Sequence, residues 1–439
     1  MELNTLLALI MLITAITLLM LGMHLAFVLS GIATIFGIYM YGSLILDQFT
    51  IIIYDATTSY TMVAVPLFVL MGSMLNLSGI AERLYSSLHV ILGPLKGGLA
   101  IATLVLATIF GACTGTAGAA VITIGIFAMS AMQKAKYDMR MASGVVCAGG
   151  GLGVIIPPSI VLILYGPVAG ISIAKLFMAS LIPGLVLSAA YIIYVAVLCY
   201  LKPSAGPPLP VADRNLSFKE MLKLFSTSIL PFIVLIAAIL GVIFFGIASP
   251  SEAAAIGAAG AIITAMCYRK LSGENIREAA KQTALITTMV MFVVLGASLF
   301  NSVFLRAGGG DFIKGMLLGL PFFKGQLIVF PLLFLVIILG CFMDWIGLLM
   351  ILVPIYVPIL KSTGIDQLWF GVLFGVALQI SYMTPPFAYS AFYLKSVTPK
   401  EVTLKDIYIG ALPFVVIQII CLFLLYLFPA ISTWLPSLM

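Results

Sequence analysis

Residues 379–394 read QISYMTPPFAYSAFYL, and residues 149–164 read GGGLGVIIPPSIVLIL. In each, a Pro-Pro pair interrupts an apolar run long enough to be a membrane helix. A proline inside a helix removes a backbone hydrogen bond and clashes with the preceding turn, at about 3 kcal/mol. The chain accepts that cost twice, with the same dipeptide, and the meaning of the two breaks decides the fold.

The surroundings are those of an integral membrane protein. Of 439 residues, 63% are hydrophobic and 8% charged, against about 25% charged in a soluble domain. Long apolar runs rather than alternating ten-residue segments predict helices, not a barrel. Apolar spans are expected at 4–21, 25–42, 61–80, 97–133, 142–165, 176–201, 224–246, 251–268, 282–304, 326–360, 368–394 and 407–430. The acidic start MELNTLLALIML is expected to be a retained first helix rather than a signal peptide. All six cysteines lie in apolar stretches without metal-ligand spacing and read as small buried hydrophobes.

One crossing takes about 20 residues, so spans 97–133 and 326–360 are too long for one. Each has a Gly/polar interruption at its centre, GACTGTAGA and GCFMDWIG. Each folds as two crossings or as a re-entrant hairpin, and both leave the chain on the face where it started. The small, Gly-rich tips favour hairpins, because non-helical backbone at membrane depth is tolerated only when buried in protein or lining a cavity. With the N-terminus outside, segments 81–97, 132–141, 202–223, 269–281 and 395–406 face the cytoplasm and hold 16 of the 21 Lys and Arg residues. Asp47, Asp55 and Glu252 then fall outside, so the positive-inside rule is satisfied.

The two halves match. Gly111, at the first tip, precedes Pro157 by 46 residues; Gly340, at the second, precedes Pro385 by 45. An amphipathic stretch precedes each hairpin, ERLYSSLHVILGPLKGG and GGGDFIKGMLLGLPFFKG. Five crossings separate the hairpins, an odd number, so the second unit is inverted relative to the first. Inverted repeats with discontinuous helices are the sequence mark of a secondary transporter and of its binding site. The expected division is scaffold helices at 1–60, a first repeat at 61–201 and a cytoplasmic connector at 202–223. Further scaffold helices at 224–281 and an inverted second repeat at 282–430 complete it.

Hairpin tips and unwound helices leave backbone groups without helical partners, which is costly in hydrocarbon unless a ligand takes their place. Carbonyl and hydroxyl oxygens suit a hard cation, and half-helix N-termini suit a carboxylate. The first tip offers Thr114, Gly115 and Thr116, and the first break offers Gly149, Gly150, Gly151, Gly153 and Ser159. The second tip offers Asp344, and the second break offers Ser381 and Thr384. Pro157, Pro158, Pro385 and Pro386 keep the helices from resealing. Glycine clusters also serve close helix packing; the paired, inverted recurrence is what favours a site. Asp344 is either a functional intramembrane carboxylate or a cap on the hairpin turn. Glu252, in ASPSEAAAIG, reads as a helix-capping residue. His24 and His89 show no partner pattern. No phosphate-binding loop, metalloprotease or serine-hydrolase motif, voltage-sensor helix or potassium-filter sequence occurs, which argues against an ATPase, an enzyme or a voltage-gated channel. Intramembrane acids too sparse for a proton relay favour sodium as the driving ion.

At these residues the chain resembles the large membrane subunit of TRAP transporters, the tripartite ATP-independent periplasmic family, over essentially its whole length. The resemblance is carried by PLFVLMGSMLNLSGIAERL, GACTGTAGAAVITIG, GLGVIIPPSIVLILYG, LFMASLIPGL, ASPSEAAAIGAAGA and GCFMDWIGLLMILVPIYVPIL followed by GIDQLWFGVL. It implies an all-α integral membrane protein of the inverted-repeat elevator type, with two re-entrant helical hairpins and two broken helices. It also implies no enzyme activity, sodium as coupling ion and no organic cofactor. A small organic acid would be delivered by a periplasmic solute-binding protein, with a separate small four-helix membrane subunit as partner. Nucleic acid is not an expected partner, and the bacterial or archaeal cytoplasmic (inner) membrane is the expected location. Carried over by position, Thr114, Gly115, Thr116, Gly153 and Ser159 form one sodium site, and Gly340, Asp344, Ser381 and Thr384 contribute to the other. Thr-Gly-Thr stands at the first tip where Ser-Gly-Ser is usual, keeping the hydroxyls and adding methyl bulk. SYMTPPFAYSAFYLKSVTP departs from the commoner form and resembles the branch linked to 2-oxo and hydroxy acids, mannitol and chloroaromatics. The expected substrate pocket is Thr116, Ser159, Asp344, Phe387 and Tyr389. A stand-alone ion-coupled organic anion symporter and a channel are the alternatives.

Overall fold

The computed structural model describes residues 3–114, 117–209, 218–319 and 325–439, without the side chains of residues 112–114, 218 and 318. Among them every regular element is helical. The chain opens with α1 (Leu3–Met20), α2 (Leu25–Tyr41), α3 (Leu44–Thr58), α4 (Ala64–Leu77) and α5 (Ile80–Leu92). A first helical hairpin follows, α6 (Gly98–Thr114) and α7 (Ala117–Lys134). Then come a broken pair, α8 (Met139–Gly151) and α9 (Ile160–Ala169), and the long α10 (Ile173–Leu201). Past the connector lie α11 (Phe218–Leu224), α12 (Leu230–Phe244) and α13 (Pro250–Cys267). The second half runs α14 (Gly273–Arg306), α15 (Gly309–Leu318), the hairpin α16 (Val329–Gly340) and α17 (Trp345–Thr363), and the broken pair α18 (Gln367–Met383) and α19 (Tyr389–Lys395). It ends with α20 (Leu404–Leu427) and α21 (Ala430–Thr433).

The order α4–α5–hairpin–broken pair–α10 thus recurs as α14–α15–hairpin–broken pair–α20. Among the described residues, nine helical stretches are long and apolar enough to cross a membrane. Helix α16 has 12 residues, about 18 Å at 1.5 Å per residue. That falls short of the roughly 30 Å hydrocarbon core, as the arm of a hairpin that turns back within the bilayer would. The halves of each broken helix are also short: 13 and 10 residues for α8 and α9, 17 and 7 for α18 and α19.

Several boundaries depart from the expected spans. Residues 44–58 form α3, a surface helix carrying Asp47 and Asp55, where no element was expected. Helix α14 starts nine residues before 282 because Ser272 caps it, accepting a hydrogen bond from Asn275 N at 3.1 Å. Helix α21 follows the last expected span and packs on α10 and α18. Cys267 is exposed at the end of α13, unlike the buried Cys147, Cys199, Cys341 and Cys421. Glu252 does close a capping box: Ser249 N donates to its carboxylate at 2.7 Å, and Glu252 N donates to Ser249 Oγ.

One side of the molecule is a spine in which α4 packs on α13 and α14, and α14 packs on α2. On the other side, α8 packs on α7 and α20, and α18 packs on α16 and α20. Helices α8 and α20 run side by side in the same direction. Arg140 Nε donates to Asp406 Oδ1 at 2.9 Å at their starts, and one turn on, Gly144 and Gly410 meet so closely that a methyl on either would overlap the other helix's backbone. Small residues permit this approach, as is usual between membrane helices.

Candidate functional site

Each hairpin meets its broken helix at a close backbone junction. In the first half Gly111 lies against Gly153: a methyl group on Gly111 would stand 2.9 Å from Gly153 N and 3.0 Å from its Cα. In the second half Gly340 lies against Ser381, whose side chain a methyl on Gly340 would overlap. Gly153 and Ser381 each lie four residues before the first proline of their pair, so the junctions occupy matching positions.

The hydroxyls at the breaks share one arrangement. Ser159 Oγ donates to Val154 O at 2.6 Å, Ser381 Oγ to Leu378 O at 2.8 Å and Thr384 Oγ1 to Ile380 O at 2.6 Å. With the proton committed to a carbonyl, each oxygen keeps its lone pairs for another partner, as a hydroxyl ligand of a cation requires. Thr114 is the last residue of α6, but its side chain, with Gly115 and Thr116, lies outside the described residues.

Asp344 is a helix cap that also borders open space. It caps α17, its Oδ2 accepting from Ile346 N at 3.2 Å. It also lines a cavity of about 270 Å³ at the second tip, with Phe342, Met343 and Ile346 of that hairpin and Tyr389 of α19. The far wall comes from elsewhere: Leu19, Met23, His24 and Leu25 around the α1–α2 turn, and Met289 and Val293 of α14. Tyr389 Oη is 3.5 Å from Phe342 O, and Phe387 stacks on Tyr389 with ring centroids 6.1 Å apart and meets Phe342 edge-on at 6.2 Å. Asp344, Phe387 and Tyr389 are therefore brought together. Ser159 is fully buried inside the first break, away from that lining.

The two breaks differ in exposure. Pro157, Pro158 and Ser159 are buried, whereas Pro385, Pro386 and Phe387 are exposed, Phe387 by 43%. Packing accounts for this. The first break is covered by Gly111 and by α10, whose Gly184 lies against Ile155 and Ile156. The second is left exposed, with Tyr408 Oη donating to Pro386 O at 3.4 Å.

Three groups escaped the reading of the sequence. His24 brings the imidazole that lines the second-tip cavity; it had no local partner pattern because its neighbours come from α14, α17 and α19. Tyr382 and Tyr393 stack at 6.4 Å, and Tyr382 stacks on Tyr389 at 6.0 Å. A methyl on Gly118, just past the first tip, would touch Tyr393 at 3.0 Å and Tyr382 Oη at 3.4 Å. This tyrosine cluster joins the first tip to the second break. Third, Ser73, Asn76 and Gln282 give a polar lining to a pocket of about 50 Å³ between α4, α14 and Ala119 of α7.

Short hairpins, broken helices and oxygen-rich junctions define a helical membrane transporter of inverted-repeat design. Solved structures share the fold. The YdaH transporter of Alcanivorax borkumensis superposes with a TM-score of 0.61 at 15% identity, covering 90% of this chain and 89% of that one. The antimetabolite efflux pump MtrF of Neisseria gonorrhoeae gives 0.60 at 12%, covering 88% and 84%. Residues 12–431 match the family model for the tripartite ATP-independent periplasmic transporter DctM component, and the chain belongs to that family.

Its relatives are transporter permeases rather than enzymes. The C4-dicarboxylate large permease of Pseudomonas aeruginosa is 31% identical over 390 residues, 88% of each chain. The sialic acid large permease of Vibrio cholerae is 31% identical over 87% of each. The ectoine large permease of Halomonas elongata is 30% identical over 98% of this chain and 99% of its own. The protein is a multi-pass integral membrane permease.

Proposed function

We propose that this chain is the membrane-embedded large subunit of a sodium-coupled importer of a small organic acid. The substrate is handed over by a periplasmic solute-binding protein, and a small four-helix membrane subunit completes the complex. The observation that carries the reading is the paired junction: in each half a hairpin tip meets a helix break that presents carbonyl and hydroxyl oxygens. Sodium, a co-substrate here, takes such neutral oxygens with one carboxylate. Gly340, Asp344, Ser381 and Thr384 would hold one ion, and Gly153 and Ser159, with Thr114, Gly115 and Thr116, the other. The organic acid sits between the tips, against Asp344, Phe387 and Tyr389, with the imidazole of His24 reaching it from the scaffold side.

Substrates named for relatives include C4-dicarboxylates, sialic acid, isethionate and the zwitterion ectoine, each with an acidic group, which supports an organic acid; a 2-oxo or hydroxy acid is the narrower choice. The isethionate permease of Oleidesulfovibrio alaskensis matches 93% of this chain over only 62% of its own length. With the N-terminus periplasmic, the second hairpin is rooted outside and its tip packs against the α1–α2 turn on the cytoplasmic side. On this reading the hairpins move as an elevator in the cytoplasmic membrane, and the contact of the tip with the α1–α2 turn supports an inward-facing state.

The test is uptake into proteoliposomes containing this chain and its genomic neighbours, a four-helix membrane protein and a secreted binding protein. Radiolabelled C4-dicarboxylates, 2-oxo acids, hydroxy acids and sialic acid serve as probes. Saturable uptake that needs inward sodium and the binding protein is expected. Uptake without the binding protein would instead indicate a stand-alone symporter, and non-saturable flux a channel.

A further inference from the structure

Behind the second junction, polar side chains collect inside the protein with hydrogen-bonding groups unsatisfied. Gln379 of α18 is fully buried, and neither its Nε2 nor its Oε1 has a partner. Gln418 of α20 is fully buried as well; its Nε2 reaches only the Met383 sulfur, at 3.4 Å, and its Oε1 is unpartnered. Tyr191 of α10, whose ring packs on Phe414 one turn before Gln418, turns its buried hydroxyl toward the Gln418 amide without a hydrogen bond of normal length.

There is room beside them. Gly151 of α8 and Gly375 of α18 are both buried, yet a methyl group on either would find no atom within 4 Å beyond the backbone of its own helix. On α18, Gly375 lies one turn before Gln379 and so shares its face. Helices α8 and α20 run in register from Arg140–Asp406 through Gly144–Gly410. Seven residues beyond Gly144 is Gly151, and eight beyond Gly410 is Gln418, which brings these two to one level. Six residues before each proline pair stand Gly151 and Gln379, so the open glycine in one repeat and the buried amide in the other hold matching positions.

We infer that α8, α18 and α20 enclose an internal chamber that binds water, held by the amides of Gln379 and Gln418 behind the two helix breaks. A buried amide without partners is strongly disfavoured. A ligand that both donates and accepts is needed, because Gln379 offers a donor and an acceptor together; a cation would satisfy the oxygens alone. Polar, enclosed sites with two or more partners are where internal water is found.

Synchrotron hydroxyl-radical footprinting of the full chain in nanodiscs tests this, because bound water becomes the oxidant for the side chain it touches. Met383 is 2% exposed and Met129 is fully buried. We expect Met383 to be oxidised at least tenfold faster than Met129, in sodium and in choline alike. The labelling should be lost in Gln379→Leu and in Gln418→Leu. Equal rates for Met383 and Met129 in the native chain would overturn the inference. So would Met383 labelling that sodium suppresses and choline does not, since the chamber would then hold a cation. A Gln379→Leu variant that keeps rapid Met383 labelling would overturn it too, and the Gln418→Leu variant provides the same reading if the first misfolds.

Discussion

Gly340 stands so close to Ser381 that the second hairpin and the second helix break touch through the glycine's missing side chain. The same relationship joins Gly111 to Gly153 in the first half. In both, the tip rests on the residue four positions before the proline pair, so each presumed ion site is made of one hairpin and one broken helix.

Gly340→Ala should wedge tip and break apart. Overfilling a packed site costs about 1–3 kcal/mol, and every 1.4 kcal/mol is a factor of about ten in affinity. Sodium stabilises whatever state binds it, so melting the purified protein in a sodium chloride series against choline chloride reads the affinity directly. We expect Gly340→Ala and Gly111→Ala to weaken it roughly tenfold. Gly241→Ala, at a position with open space around it, should leave it unchanged.

Asp344→Asn separates charge from capping. Asparagine keeps an acceptor for Ile346 N, so stability in choline should match the native chain, while the sodium response disappears. Asp344→Ala should lose the response and about 1 kcal/mol besides. A normal sodium response from Asp344→Asn would leave Asp344 as a cap and nothing more.

Replacing Pro385 and Pro386 together by alanine restores two backbone donors to a stretch bounded by α18 and α19. The helix can then close over Thr384 and withdraw its carbonyls. Sodium affinity should fall by a factor of ten or more while the protein still inserts in the membrane; an unaltered response would make the break a packing kink.

His24→Ala is expected to raise the KM for the organic acid 10- to 100-fold with little change in kcat, because a hydrogen bond to a charged group contributes about 1.5–3 kcal/mol. The sodium response of the purified protein should not change. Uptake kinetics in proteoliposomes would show an equal loss in kcat if the residue serves only the fold.

Capping offers a control. Ser249→Ala removes one half of the box with Glu252 and should lower stability by about 1 kcal/mol, with sodium response and uptake intact.

Much of this architecture was legible in the chain because it rests on local chemistry. Apolar length marks the membrane helices, and proline pairs mark the breaks. Lys and Arg distribution suggests an orientation, and the matched Gly-to-Pro distances pair each tip with a break. Ser249, Asp344 and Thr403 cap helices with acceptors that lie within three residues of their donors, so that part too is written locally. What no local pattern could supply is which distant faces meet. His24 and Asp344 are 320 positions apart and line one cavity. Gly118 reaches Tyr382 and Tyr393, and Gln379 and Gln418 share Met383's surroundings without bonding to each other. The proline pairs look alike in sequence, yet one is buried and the other open, because Gly111 of α6 and Gly184 of α10 close over the first break while the second has no such cover among the described residues. The sequence by itself determined where helices begin, break and turn back, since those depend on the backbone and its nearest side chains. Only the tertiary structure decided which break is accessible, because that is set by the packing of helices far apart in the chain.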